Sequence, residues 1–146
     1  MMRLLVLEDS KWVVTAVQEL KPSGDFSCPW LDSIASLGPN YEKSLDGLVV
    51  MLEKFSEHGQ KMLNKDICHE VDENEKIFEF IKGDLRLLWF YGKGNKLIIC
   101  SHCFVKKGQK TPKNEKDIAI RVKARYMENI KKSVDVPLYY EEDEED

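Results

Sequence analysis

No apolar run in this 146-residue chain approaches the roughly 18 residues that a membrane-crossing helix needs, so no membrane partner is expected. Cysteine is sparse: Cys28, Cys68, Cys100 and Cys103 lie scattered, and the N-terminus shows no signal-peptide pattern. A disulfide scaffold is therefore not expected, and reduced thiols in a soluble, cytoplasmic protein are. The chain also lacks a glycine-rich phosphate loop and a Gly-x-Ser-x-Gly elbow, and its acidic residues form no compelling metal cage. Familiar hydrolase and nucleotide-binding motifs are thus missing, and neither metal nor cofactor is expected.

What the chain does have is charge sorted by position. Residues 1–75 hold 7 Lys/Arg against 14 Asp/Glu, residues 76–132 hold 15 against 5, and residues 133–146 hold none against 7. The net charge of -4 therefore conceals a strongly basic central block. Such a block suits a polyanion, although a solvated lysine-rich face would give the same count. Its densest part is the stretch from His102 to Pro112, where an apolar strand runs into Lys106, Lys107 and Lys110. Three like charges within five positions repel one another, and a fold tolerates them best where an anion such as an RNA phosphate is received.

Length and apolar content suit one domain, read as residues 1–137, followed by an acidic tail over 138–146 too charged to pack. Arg3 to Leu7 predicts a strand. The spacing of Trp12, Val13, Ala16, Val17 and Leu20 predicts a helix next, although the β-branched Val13, Val14, Thr15 and Val17 leave a continuing strand as the alternative. Pro29 to Leu37 and Leu45 to Phe55 then read as two helices, the second ending at Gly59, and together they form a helical hairpin. Beyond Lys76 the pattern becomes three strands, Ile77–Lys82, Leu85–Tyr91 and Lys96–Val105, joined by short glycine-containing turns, with another possible at Ile67–Val71. Asn114 is positioned to cap a last helix whose stripe is Ile118, Ala119, Val122, Tyr126 and Ile130, with Arg121, Arg125 and Lys132 along its flank.

Strand alternation places Cys100, His102, Phe104 and Lys106 on one face and Ile99, Ser101 and Cys103 on the other. Cys100 and Cys103 would then point apart, which argues against a zinc site despite the Cys-x-x-Cys spacing and the upstream Cys68-His69. In the preceding hairpin Ile81 should oppose Arg86, with Glu79 near Leu88. Arg86 then either pairs with Glu79 or serves as a phosphate-binding arginine. Whether Arg86 shares a face with His102 turns on the next hairpin, since a regular pairing separates them and a one-residue bulge unites them. His102 has two readings as well, as a proton-transfer group or as a structural strand histidine.

The succession Ile77-Phe78-Glu79-Phe80, Leu85-Arg86-Leu87, Leu97 to Phe104, Val105-Lys106-Lys107 and Lys110-Thr111-Pro112 before a basic helix resembles the phage-derived, HigB-like branch of the RelE/ParE toxin superfamily. That resemblance implies an α+β fold like that of RelE and the microbial ribonucleases, with an antiparallel sheet, an N-terminal helical hairpin and a C-terminal helix. It implies the toxin of a type II toxin-antitoxin system, a metal-free endoribonuclease cutting mRNA on the ribosome, whose partner is a helix-turn-helix, HigA-like antitoxin. By the same resemblance Arg86, His102, Lys106, Lys107 and Lys110 fall on catalytic positions, and Arg121, Arg125 and Tyr126 on RNA-binding ones. The chain departs from the pattern at Ile81, where the family often carries an arginine. The rival expectation is a non-catalytic, ParE-like interaction module or an RNA-binding protein on the same fold.

Overall fold

The structure, a computed structural model, describes residues 1–141, so most of the acidic tail, residues 142–146, lies outside the described residues. An eight-stranded mixed sheet runs through the molecule, with two helices on one face and one on the other. In chain order the elements are β1 (Met2–Asp9), β2 (Val13–Leu20), β3 (Phe26–Ser27), α1 (Pro29–Ala35), α2 (Glu42–His58), β4 (Cys68–Asp72), β5 (Ile77–Lys82), β6 (Leu85–Tyr91), β7 (Leu97–Val105), α3 (Lys113–Lys131) and β8 (Leu138–Tyr139). The order across the sheet is β4-β5-β6-β7-β2-β1-β8, with β3 paired to the end of β2.

The expected α+β class holds, but two features of the expected architecture need correction. The chain begins with a β-hairpin, and the helical hairpin α1–α2 follows it. Val13 to Leu20 is a strand because it lies between β1 and β7 with both faces covered: Val14 and Ala16 enter the core under α1 and α2, and Val17 the core under α3. A strand buried on both sides loses the polar alternation that marks a half-exposed one, and its apolar residues then mimic helical spacing. The sheet is mixed because β7 pairs with β2 in parallel, and β8 pairs with β1 in parallel. Leu138 and Tyr139, assigned from sequence to the tail, thus belong to the sheet; Leu4 N–H donates to Pro137 O at 2.9 Å, and the Arg3 guanidinium lies between the Phe26 and Tyr139 rings, 3.6 Å from each.

The meander β4-β5-β6-β7 forms as the turn residues require, with Ile81 opposite Arg86 and Glu79 opposite Leu88. Between β6 and β7 the register slips by one: Leu87 faces Cys103 while Trp89 faces Cys100. This bulge reverses the expected alternation along β7. Cys100 and Cys103 both join the core beneath α1 and α2, rather than facing opposite ways, while Phe104 and Ile99 join the core beneath α3. All four cysteines are free thiols, and burial pushes Cys103 up to about 12.

α2 buries Leu48, Met51, Leu52 and Phe55 against the sheet, and α3 buries Ala119, Val122 and Tyr126 against its other side. α3 begins one residue before Asn114, with Pro112 at its N-cap and no side-chain cap, so Asn114 lies inside the helix. Among the described residues, no helix is long and apolar enough to cross a membrane. Gly59 ends α2 at φ 69, ψ -150, a region that essentially only glycine occupies, and the Trp12 indole fills the space where a Cβ would project. Gly59→Ala is expected to lower stability by about 1–3 kcal/mol, read from the urea midpoint at unchanged denaturant dependence.

Candidate functional site

The centre of the site is Glu79, on β5, a carboxylate only 1% exposed. Its strand places Ile77 in the core under α3, and alternation along β5 turns Glu79 to that same face, beyond the edge of the apolar contacts. A carboxylate so buried needs partners, and it finds three. Thr111 Oγ1 donates to Glu79 Oε2 at 2.9 Å, Arg86 Nε lies 3.8 Å from Oε1, and His69 Nδ1 lies 3.6 Å from Oε1. His69 stands directly across the β4–β5 pair from Glu79. The Thr111 bond is the one that matters for shape, because it draws the lysine loop after β7 back across the end of the sheet.

Above Glu79 opens a cleft of about 340 Å³, lined by His69, Glu79, Lys106, Gln109, Lys110, Thr111 and Lys116, with Glu70 and Val71 at its β4 edge. Lys106 leaves the end of β7, anchored by its backbone N–H on Asp84 O at 2.8 Å. Lys116 comes from the first turns of α3, where its Nζ donates to Val71 O at 3.4 Å. The cleft thus joins β4, β5, the loop after β7 and a helix. Its lining carries two carboxylates, Glu79 on the floor and Glu70 at the β4 edge, against three ammonium groups on the walls, a balance that still favours an anion such as a phosphodiester.

The structure separates the residues proposed from sequence. Lys106 and Lys110 line the cleft, whereas Lys107 is exposed and does not. Arg86 shares the α3 face of the sheet with His102, as a bulge requires, but its guanidinium turns toward its own hairpin: Nη1 donates to Gly83 O at 2.7 Å and Leu85 O at 2.9 Å. With its side chain 15% exposed and Nε toward Glu79, Arg86 lies behind the cleft and compensates the buried carboxylate. His102 is buried beneath α3, its Nδ1 2.9 Å from Ser101 Oγ and its Nε2 3.5 Å from Glu115 Oε1. It does not line the cleft.

The residues expected to bind RNA from α3 disperse. Arg121 is exposed, and Arg125 donates through Nε to Glu19 Oε1 of β2 at 2.8 Å. Tyr126 is 2% exposed, packs against Phe90 and accepts a hydrogen bond from Lys93 N–H through its hydroxyl, so it is a core residue with no face open to RNA.

His69, Glu79, Thr111 and Lys116 compose the cleft together with the two lysines, and sequence reasoning gave none of them this role. His69 figured there only beside Cys68 as a zinc ligand, and Glu79 only as a partner for Arg86. Among the described residues no group of three or more His, Cys, Asp or Glu side chains could hold a metal ion. The signal that points to His69 is the β4–β5 register, which carries it to Glu79 once Cys68–Asp72 is known to be a strand.

Residues 39–124 match the family described as Phage derived protein Gp49-like (DUF891), a span that takes in α2, the whole meander, the lysine loop and most of α3. No curated protein matches the chain. The matched span includes every residue lining the cleft.

Burial under α3 lowers the pKa of His102 below its ordinary 6.5, and the nearby Glu115 carboxylate offsets only part of this. Since the folded state then holds the extra proton less readily than the unfolded chain, the contribution of neutral His102 is complete above about pH 6.5 and is lost as pH falls toward the lowered value. Wild type should therefore lose more stability than His102→Gln between pH 7 and pH 5, a difference checked by urea denaturation across that range.

Proposed function

The chain belongs to the phage-derived Gp49-like family, and from that membership and the lysine-walled cleft we propose that it is the toxin of a type II toxin-antitoxin system that cleaves mRNA on the ribosome. The observation that carries this reading is the meeting of Lys106, Lys110 and Lys116 over His69 and Glu79 in one open cleft. In metal-free RNA cleavage the ribose 2′-oxygen attacks the adjacent phosphorus and the 5′-oxygen leaves. The reaction needs a proton acceptor, a proton donor and cationic groups on the phosphoryl oxygens, whose charge grows in the transition state. Ammonium groups projecting from a strand end, a loop and a helix can surround those oxygens from three sides.

Fixed positions matter more here than the number of charges. Lys106 is held by the backbone bond to Asp84, and Lys110 by the neighbouring Thr111–Glu79 bond, so the loop is shaped before RNA arrives. In this reading the enzyme acts in the cytoplasm, and a helix-turn-helix antitoxin restrains it by covering the basic cleft. The ribosome would present a strained, single-stranded message to a cleft too small to enclose a duplex.

Induction of the chain should arrest growth, and mapping of message 5′ ends should show new cuts only in translated messages. Lys106→Ala combined with Lys110→Ala should lower the cutting rate by about 100-fold or more while the thermal midpoint stays close to wild type. Growth arrest without any message cutting would instead favour a protein-binding module on the same fold.

A further inference from the structure

His69 is the only imidazole that lines the cleft among the described residues, and its position answers a question left by the cationic walls. Lysines can neutralise a phosphoryl group, but at neutral pH a protonated amine cannot accept the 2′-proton. Three features of His69 fit that task. Its side chain is 49% exposed, so RNA can reach it. Its Nδ1 faces Glu79 Oε1 at 3.6 Å, and Glu79 is immobilised by burial and by Thr111. A carboxylate beside Nδ1 favours the tautomer with hydrogen on that nitrogen and leaves the Nε2 lone pair free, and such contacts commonly shorten when substrate binds.

We propose that His69 is the proton acceptor of the cleft and that Glu79 is its positioning residue; this rests on the RNA-cleaving reading above. Nε2 of His69 removes the proton of the 2′-hydroxyl as the 2′-oxygen forms its bond to phosphorus. The bond from phosphorus to the 5′-oxygen breaks, and that oxygen leaves with the electron pair and takes a proton from a lysine ammonium in the same cleft. The products are a 2′,3′-cyclic phosphate and a 5′-hydroxyl end, and the two protons balance once the histidine returns its own to the lysine through solvent. Charged groups lining the cleft with the imidazole are Glu70 on its own strand, Glu79 from the neighbouring strand, Lys106 and Lys110 from the loop, and Lys116 from α3, while Arg86 of β6 stands behind Glu79.

The other histidines do not compete for this role. His102 is sealed beneath α3 beside Glu115, and His58 sits at the end of α2, outside the cleft. Because His69 lies half-exposed on an edge strand, its replacement leaves the core intact.

The test uses the full chain in a cell-free translation reaction on one defined message, with cuts read by primer extension and binding to the message-bearing ribosome read by co-sedimentation. His69→Ala should cut about 100-fold or more slowly with binding unchanged, and added imidazole should restore part of the rate; His69→Gln should be equally slow. Cutting by His69→Ala at the wild-type rate would overturn the assignment while leaving the RNA-cleaving reading in place. So would a loss of cutting that accompanies a loss of binding, or one that imidazole does not restore. If the wild-type chain leaves the message whole, the reading and the inference fall together.

Discussion

The carboxylate of Glu79 is the point on which the rest of the cleft depends. It is buried at the margin of the sheet, where an unpaired charge would cost several kcal/mol, and it draws together groups that are distant in the chain. Arg86 from the next strand lies close on one side, His69 from the preceding strand on the other, and the Thr111 hydroxyl closes the third. Each contact has a structural result. The arginine ties β5 to β6, the histidine is turned into the cleft, and the threonine fixes where the lysine loop lies. Without the carboxylate, the Thr111 hydroxyl would lose its acceptor on the sheet, and Arg86 Nε, which makes no hydrogen bond, would lose its carboxylate partner.

The second constraint is the bulge where Leu87 and Trp89 of β6 meet Cys103 and Cys100 of β7. One additional residue in β7 reverses the facing of everything before it relative to everything after. Phe104 can therefore reach the core under α3 while Cys103 enters the core under α1 and α2, together with Cys100. It also explains why Arg86, opposite Phe104, and His102 share a face although a regular hairpin would separate them. A bulge adds one residue to one strand of a pair, and no local residue pattern in Leu97 to Val105 announces it.

This contrast shows which parts of the molecule could be read from residues alone. β5 and β6 were legible to the residue because Gly83, at φ 57, forces a two-residue turn between two apolar runs, and that turn fixes the register. The lysine loop was legible because its meaning is local: adjacent like charges at a strand end require an explanation wherever the strand lies. β2 was obscure because its strand character comes from neighbours on both edges and helices on both faces, and tertiary burial overrides spacing. β8 was obscure for a similar reason, since two apolar residues before an acidic run join a sheet only because β1 offers an open edge and Arg3 offers a cation to the Tyr139 ring. The role of His69 was hidden most deeply, because it arises from pairing across the β4–β5 hairpin and from a loop forty residues further on.

A negative floor beneath a site for phosphate looks self-defeating, and the resolution lies in distance and pairing. Glu79 is already engaged by a guanidinium, a hydroxyl and an imidazole, so little of its field emerges into the cleft, whereas Lys106, Lys110 and Lys116 stand on its walls, where their charges reach an entering anion directly. The -7 carried by residues 1–75 and the -7 carried by residues 133–146 alter this little wherever they lie more than a screening length, about 8 Å at physiological salt, from the walls. Local arrangement thus outweighs the net charge of -4. The same carboxylate that would repel a phosphate if left free becomes, once paired, the fixed support that holds cations and imidazole where a phosphodiester could meet both.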